Sequence, residues 1–138
     1  MVATVKVIPF SAPEHVVDAA VKAAQNPSPL IKVVPFRAKK VGLILTQLRG
    51  TKDKVLLGTV KTVTNRIEAL GSELIETKTI QHREGEIAQA LQQLLDQGCD
   101  IALISGASAI VDRRDVGPMG IEMAGGYIDH FGLSLIHI

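Results

Sequence analysis

Apolar residues along this chain alternate between two textures, short unbroken runs and longer stretches with helical spacing. Val41, Gly42, Leu43, Ile44 and Leu45 form a fully apolar run, which predicts a strand covered on both faces. Residues 46–53 are a polar loop holding Gly50. Helical spacing follows over 54–70, through Val55, Leu56, Val60, Val63, Ile67 and Leu70, with Gly71 as its stop. The cycle repeats with a strand at 73–80 and a helix at 83–97, whose Ile87, Ala88, Leu91, Leu94 and Leu95 share one face ahead of Gly98. A third strand at 100–104 empties into small residues. A helix at about 116–124 then closes at Gly125-Gly126, and 127–131 predicts one more strand. This alternation implies crossovers and a doubly wound, mainly parallel α/β sheet.

The first 37 residues read differently. A β-branched run at 2–8 ends at Pro9, a helix opens at Pro13 and Glu14 and runs to Ala24, and Asn26-Pro27-Ser28-Pro29 stops it. A strand at 30–34 ends at Pro35, giving a small β-α-β segment. The organisation read from this pattern is a partial segment at 1–37 from a preceding region and a truncated α/β domain at 38–132. Residues 133–138, Leu-Ser-Leu-Ile-His-Ile, equal a translation of CTGTCTCTTATACACATC, a transposase adapter of sequencing libraries, and read as a scar outside the fold. The sheet is therefore expected to be incomplete at its C-terminus.

Composition narrows the partners. Lys and Arg number 15 against 14 Asp and Glu, a formal net charge of +1, and no basic tract is interleaved with aromatics, so nucleic acid is not the expected partner. A hydrophobic fraction of 46% with only 3% aromatic residues suits a parallel sheet sheathed by helices. No run is long enough to cross a bilayer, and one cysteine allows no internal disulfide. The opening residues lack a secretory pattern, so a cytoplasmic setting is the expectation.

The candidate chemistry lies at 101–118. The run Ile101 to Ile104 breaks into Ser105, Gly106, Ala107, Ser108 and Ala109, then into Asp112, Arg113, Arg114 and Asp115, before the next helix. In open α/β sheets ligands bind outside the carboxyl ends of strands, where small side chains let backbone N–H groups approach an anion. The residues Ser105-Gly106-Ala107-Ser108, Asp112-Arg113-Arg114-Asp115-Val116 and Pro118 resemble the molybdopterin-binding domain of molybdenum-cofactor biosynthesis proteins. With Val111, Gly125-Gly126 and His130-Phe131-Gly132, they look like the variant found ahead of a nucleotidyltransferase domain. The opening residues 1–10 are similar to an interior stretch of the same proteins. Two features depart from that family: its Thr-Gly-Asp/Asn loop stands here as Thr46-Gln47-Leu48-Arg49-Gly50-Thr51-Lys52, and its Asp-Ser-Asn motif is absent.

The resemblance implies binding of molybdopterin, a pterin phosphate, with adenylyl transfer or molybdate insertion in different branches. It also implies homo-oligomers and a fused nucleotidyltransferase domain, outside this chain, that would perform any nucleotidyl transfer. The binding residues it implies are Thr46, Gly106, Ala107, Ser108, Asp112, Arg113, Arg114 and Asp115. Gly106, Ala107 and Ser108 would offer N–H groups and a hydroxyl, and the helix from Val116 its positive end. Arg113 or Arg114 would pair with phosphate oxygens, and Asp112 would hold Mg²⁺ or a pterin nitrogen. No catalytic residue is assigned.

Each assignment has a plainer rival. Asp115 stands where an N-cap belongs, the arginines could be solvated or paired with Asp112, and Gly106 and Ala107 could be small only for strand–helix packing. Arg49, Thr51, Lys52 and Lys54 sit in a loop expected at the same sheet edge. His15, His82, His130 and His137 have no metal-site spacing, and His82 reads as helping to start a helix. Cys99 reads as a packed thiol. Two rival functions remain: a nonenzymatic scaffold, and a pyridine-nucleotide enzyme on the same fold.

Overall fold

The computed structural model describes residues 11–25 and 33–130. The strand expected at 2–8 and the adapter-like residues 133–138 lie outside them. Two compact units are formed, Met1–Pro35 and Phe36–Ile138. In the first, α1 (Glu14–Gln25) begins one residue after Pro13, whose carbonyl accepts the Val16 N–H at 2.9 Å. Val33 and Val34, expected in a strand, are in no strand, and residues 30–32 lie outside the described set.

The second unit is an α/β fold. Its elements are β1 (Lys40–Gln47), α2 (Asp53–Ala69), β2 (Glu73–Gln81), α3 (Glu84–Asp96), β3 (Ile101–Ser105) and α4 (Val116–Met123). The three strands form one parallel sheet in the order β2-β1-β3. β1 runs two residues past its apolar run, so Thr46 belongs to the strand and not to the loop after it.

β1 is central and buried from Val41 to Thr46. Alternation along it serves two helices. Ile44 packs with Ala90 and Leu94 of α3, joined by Ile80, Leu91, Cys99 and Ile104. Leu43, on the other face, lines a groove with Val55, Thr59 and Val63 of α2. Complete burial of side chains such as Ile44, Ile87 and Leu94 contributes about 1.5–3 kcal/mol each. Gly42 is what lets α3 approach: a Cβ there would lie 2.6 Å from Leu94 Cδ1 and 3.0 Å from Cys99 Sγ. The predicted face of α3 holds at Ile87, Ala88 and Leu94, but Leu95 points to solvent, and Ala90 is buried in its place.

α2 meets less of a floor. Among the described residues β3 is an edge strand, so Ile101 and Leu103 stay 41% and 37% exposed, and Ile67 is the one fully buried α2 residue. α4 lies along α3: Gly120 sits where a Cβ would come within 2.7 Å of Ile87, and Gln92 Nε2 donates to the Ala124 carbonyl at 2.9 Å. Helix ends follow the glycines. Gly71, at φ 71°, lets the Ser72 N–H return to the Ile67 carbonyl at 3.1 Å, closing α2. The strand expected at 127–131 is not formed over Tyr127–His130, which follow α4 without strand pairing; Phe131 lies outside the described residues. No described helix is long and apolar enough to cross a membrane.

Candidate functional site

Parallel pairing brings the carboxyl ends of all three strands together. Register sets Thr46 opposite Ile80 of β2, and its neighbour Leu45 opposite Ser105 of β3. The His82 N–H then donates to the Gln47 carbonyl at 3.1 Å, which holds the residue after β2 against the end of β1. The His82 ring is thereby delivered between two loops.

Three side chains meet there in a continuous chain. Thr46 Oγ1 lies 2.8 Å from His82 Nδ1, and His82 Nε2 lies 2.8 Å from Ser108 Oγ. Thr46 Oγ1 also accepts the Ala107 N–H at 2.8 Å. Thr46, a strand residue, thus ties the 105–109 loop to β1 and β2 at once. Gly106 meets its own loop closely: a Cβ there would lie 3.1 Å from the Ser108 carbonyl oxygen, a tight contact. That replaces the reading in which Gly106 is small for strand–helix packing.

A cavity of about 250 Å³ lies beside this knot, lined by Leu45, Thr46, Thr51, Val55, Ser105 and Gly106 among others. Leu48 and Thr51, from the loop after β1, line it together with Ser105, Gly106 and Ala107, so the two loops share one sheet edge. Thr51 is committed within its own turn, its hydroxyl donating to the Leu48 carbonyl at 2.9 Å and accepting the Leu48 N–H at 3.1 Å. A larger groove of about 610 Å³ runs between α2 and β3 and is bordered by Lys54, Arg66 and Ser105. None of the three side chains Thr46, His82 and Ser108 lines it, and of the three only Thr46 lines the smaller cavity. Arg49 and Lys52 are exposed and line neither.

The acidic residues after the loop turn onto their own backbone. Asp115 Oδ2 accepts the Val111 and Asp112 N–H groups at 2.6 and 2.9 Å, and Asp112 Oδ1 accepts the Arg114 N–H at 2.7 Å. The N–H donors of Asp112 and Val111 hold the Asp115 carboxyl below the ordinary aspartate range. Asp115 does occupy the N-cap position of α4, but its side chain makes no cap bond, because it reaches back to Val111 instead of forward. Asp112 forms no ion pair with either arginine among the described residues, and its Oδ1 accepts the Arg114 backbone N–H instead. Arg113 and Arg114 are exposed and make no ion pair among the described residues.

Of the residues expected to bind, Thr46 and the Ala107 N–H therefore serve the loop's own architecture. Ser108, Arg113 and Arg114 keep groups facing outward. Among the described residues no group of three or more His, Cys, Asp or Glu is placed to hold a metal ion. Cys99 packs beneath β1, and burial pushes its thiol up, with Glu76 and Asp100 adding to the shift.

His82 is the residue that sequence reasoning misplaced. It does not help to start α3, whose N-cap is Arg83; its ring instead joins Thr46 to Ser108. The one signal in the sequence was position, a histidine directly after a strand at the carboxyl edge of a parallel sheet. Comparison with protein-family models, with curated proteins and with solved structures finds no match.

Proposed function

We propose that the carboxyl edge of this sheet binds a small phosphorylated ligand, and that the ligand is molybdopterin, the pterin phosphate implied by the resemblance of residues 105–118. The observation that supports the reading is the Thr46–His82–Ser108 chain, which holds the Ser108 hydroxyl at a fixed place at the carboxyl edge of the sheet. Donors and charges there suit an anion. Ser108 supplies a hydroxyl, and Arg113 and Arg114 are the outward charges of a segment whose two carboxylates each turn one oxygen onto backbone N–H groups. The neighbouring cavity, walled by Leu45, Leu48, Val55 and Leu56, suits the flat face of a pterin.

Asp112 stands alone as a candidate cation ligand, so a Mg²⁺ ion there would take most of its oxygens from water and from the phosphate. Binding is the role of this chain, and nucleotidyl transfer falls to the fused domain that the same resemblance implies.

Calorimetric titration with a molybdopterin-type pterin phosphate tests the reading on wild type, Ser108→Ala, Arg113→Ala and Asp112→Ala. Loss of one hydrogen bond to a charged group corresponds to roughly tenfold weaker binding or more for Ser108→Ala and Arg113→Ala. Equal affinity in all four proteins is the result expected of a nonenzymatic scaffold and would overturn the proposal.

A further inference from the structure

Hydrogen bonds carry direction, and the direction in this relay can be worked out atom by atom. Thr46 is 4% exposed. Its Oγ1 accepts the Ala107 N–H, and its one other partner among the described residues is His82 Nδ1. A hydroxyl also carries a proton of its own. At a buried strand position that proton has one acceptor in reach among the described residues, the lone pair of Nδ1, and stranding it would incur the desolvation penalty of an unsatisfied buried donor. Nδ1 is then the bare nitrogen of a neutral imidazole, and the ring proton sits on Nε2. Nε2–H in turn donates to Ser108 Oγ at 2.8 Å.

We propose that His82 is a positioning residue: Thr46 fixes it as the Nε2–H tautomer, and the ring fixes Ser108 as a hydrogen-bond donor toward an acceptor-only oxygen, as on a phosphate. The ligand in this statement rests on the anion-binding reading above; the tautomer does not. The opposite polarity would make His82 a base and Ser108 a nucleophile, in the manner of hydrolytic triads. That polarity requires Nδ1–H to donate to Thr46 Oγ1, which would leave the Thr46 proton without an acceptor among the described residues. Despite its outward likeness to a triad, the trio is built to present a donor, not to remove a proton.

Long-range proton–nitrogen correlation spectra of the ¹⁵N-labelled full chain, at about pH 8 where histidine is neutral, read the tautomer directly. The His82 signals are assigned by their loss in His82→Gln. A bare Nδ1 with protonated Nε2 is expected in wild type and in Thr46→Ser, with mixed tautomers in Thr46→Val. A protonated Nδ1 in wild type overturns the proposal.

Inorganic phosphate titrated calorimetrically gives the second arm. Ser108→Ala is expected to weaken binding about tenfold, and His82→Ala by about three- to tenfold. His82→Gln, whose amide can supply an N–H in place of Nε2, should regain most of that loss. A glutamine variant as weak as the alanine variant overturns the positioning role. The Nε2–H tautomer combined with no phosphate binding in wild type would overturn the ligand assignment, and with it the anion-binding reading, while leaving the proton relay intact.

Discussion

The two ends of the same three strands are closed in different ways. At the amino end every short bond involves backbone: the Lys40 N–H donates to Asp100 Oδ2 at 2.8 Å, the Asp100 N–H to the Lys40 carbonyl at 2.8 Å, the Glu73 N–H to the Lys39 carbonyl at 2.9 Å, and the Lys39 N–H to Ser72 Oγ at 3.0 Å. At the carboxyl end the two central bonds, Thr46 to His82 and His82 to Ser108, join side chain to side chain. Closure at the amino end always has a backbone N–H as its donor, with Asp100 and Ser72 the two side chains that accept. Side-chain closure fixes where the Ser108 hydroxyl sits. The difference explains why the ligand site is assigned to one end of a sheet whose strands are otherwise continuous.

The largest expected effect belongs to the core under both ends. Leu94→Ala empties the contact among Ile44, Ala90 and Leu94 and should destabilise the unit by about 2–5 kcal/mol, read from urea midpoints. A loss well under 1 kcal/mol would mean that α3 does not anchor β1. Thr46→Val comes next. It removes the acceptor of the Ala107 N–H and the partner of His82 Nδ1, and should cost about 1–3 kcal/mol, most of it restored by Thr46→Ser. If valine proves neutral, the carboxyl end is not organised by this hydroxyl.

Asp115 separates the ends by pH. Its carboxyl is held low in the folded chain, so its contribution is fully present above the ordinary aspartate value and is lost as pH falls through the lower folded value. Asp115→Asn should therefore be less stable than wild type at neutral pH, and the gap should close in acid. A gap unchanged by acid would show that the bonds to Val111 and Asp112 carry no charge-dependent stability. The smallest effect is expected at the amino end. Lys39 and Asp100 lie 3.8 Å apart with both side chains 44% exposed, so Lys39→Ala should shift stability by no more than about 0.5 kcal/mol.

Much of the second unit was legible in the sequence because its signals are local. The apolar run at Val41 to Leu45, the helical spacing of α3, and the glycines at 71 and 98 each act within a turn or two of the chain. What was missed depends on distance. Leu95 fits the helical face of α3 but stays exposed, because β1 covers the side that holds Ala90 and Leu94. The strand at 127–131 was an inference from rhythm, and the described part of that stretch pairs with nothing. In the site, the 105–109 loop was identified from its small residues and its place after a strand. His82 was not, because Thr46, His82 and Ser108 are separated by 36 and 26 residues, and only the register of three parallel strands brings them together. Asp115 was placed at the correct helix position with the wrong partner, since position alone does not show which way a carboxylate turns.

The most direct test of the account is a backbone amide map of the ¹⁵N-labelled chain titrated with inorganic phosphate. Saturable shifts at Gly106, Ser108, Arg113 and Arg114, with Lys40, Glu73 and Asp100 unmoved, are the predicted result. Shifts confined to the amino end of the strands, or none at any residue, would contradict it.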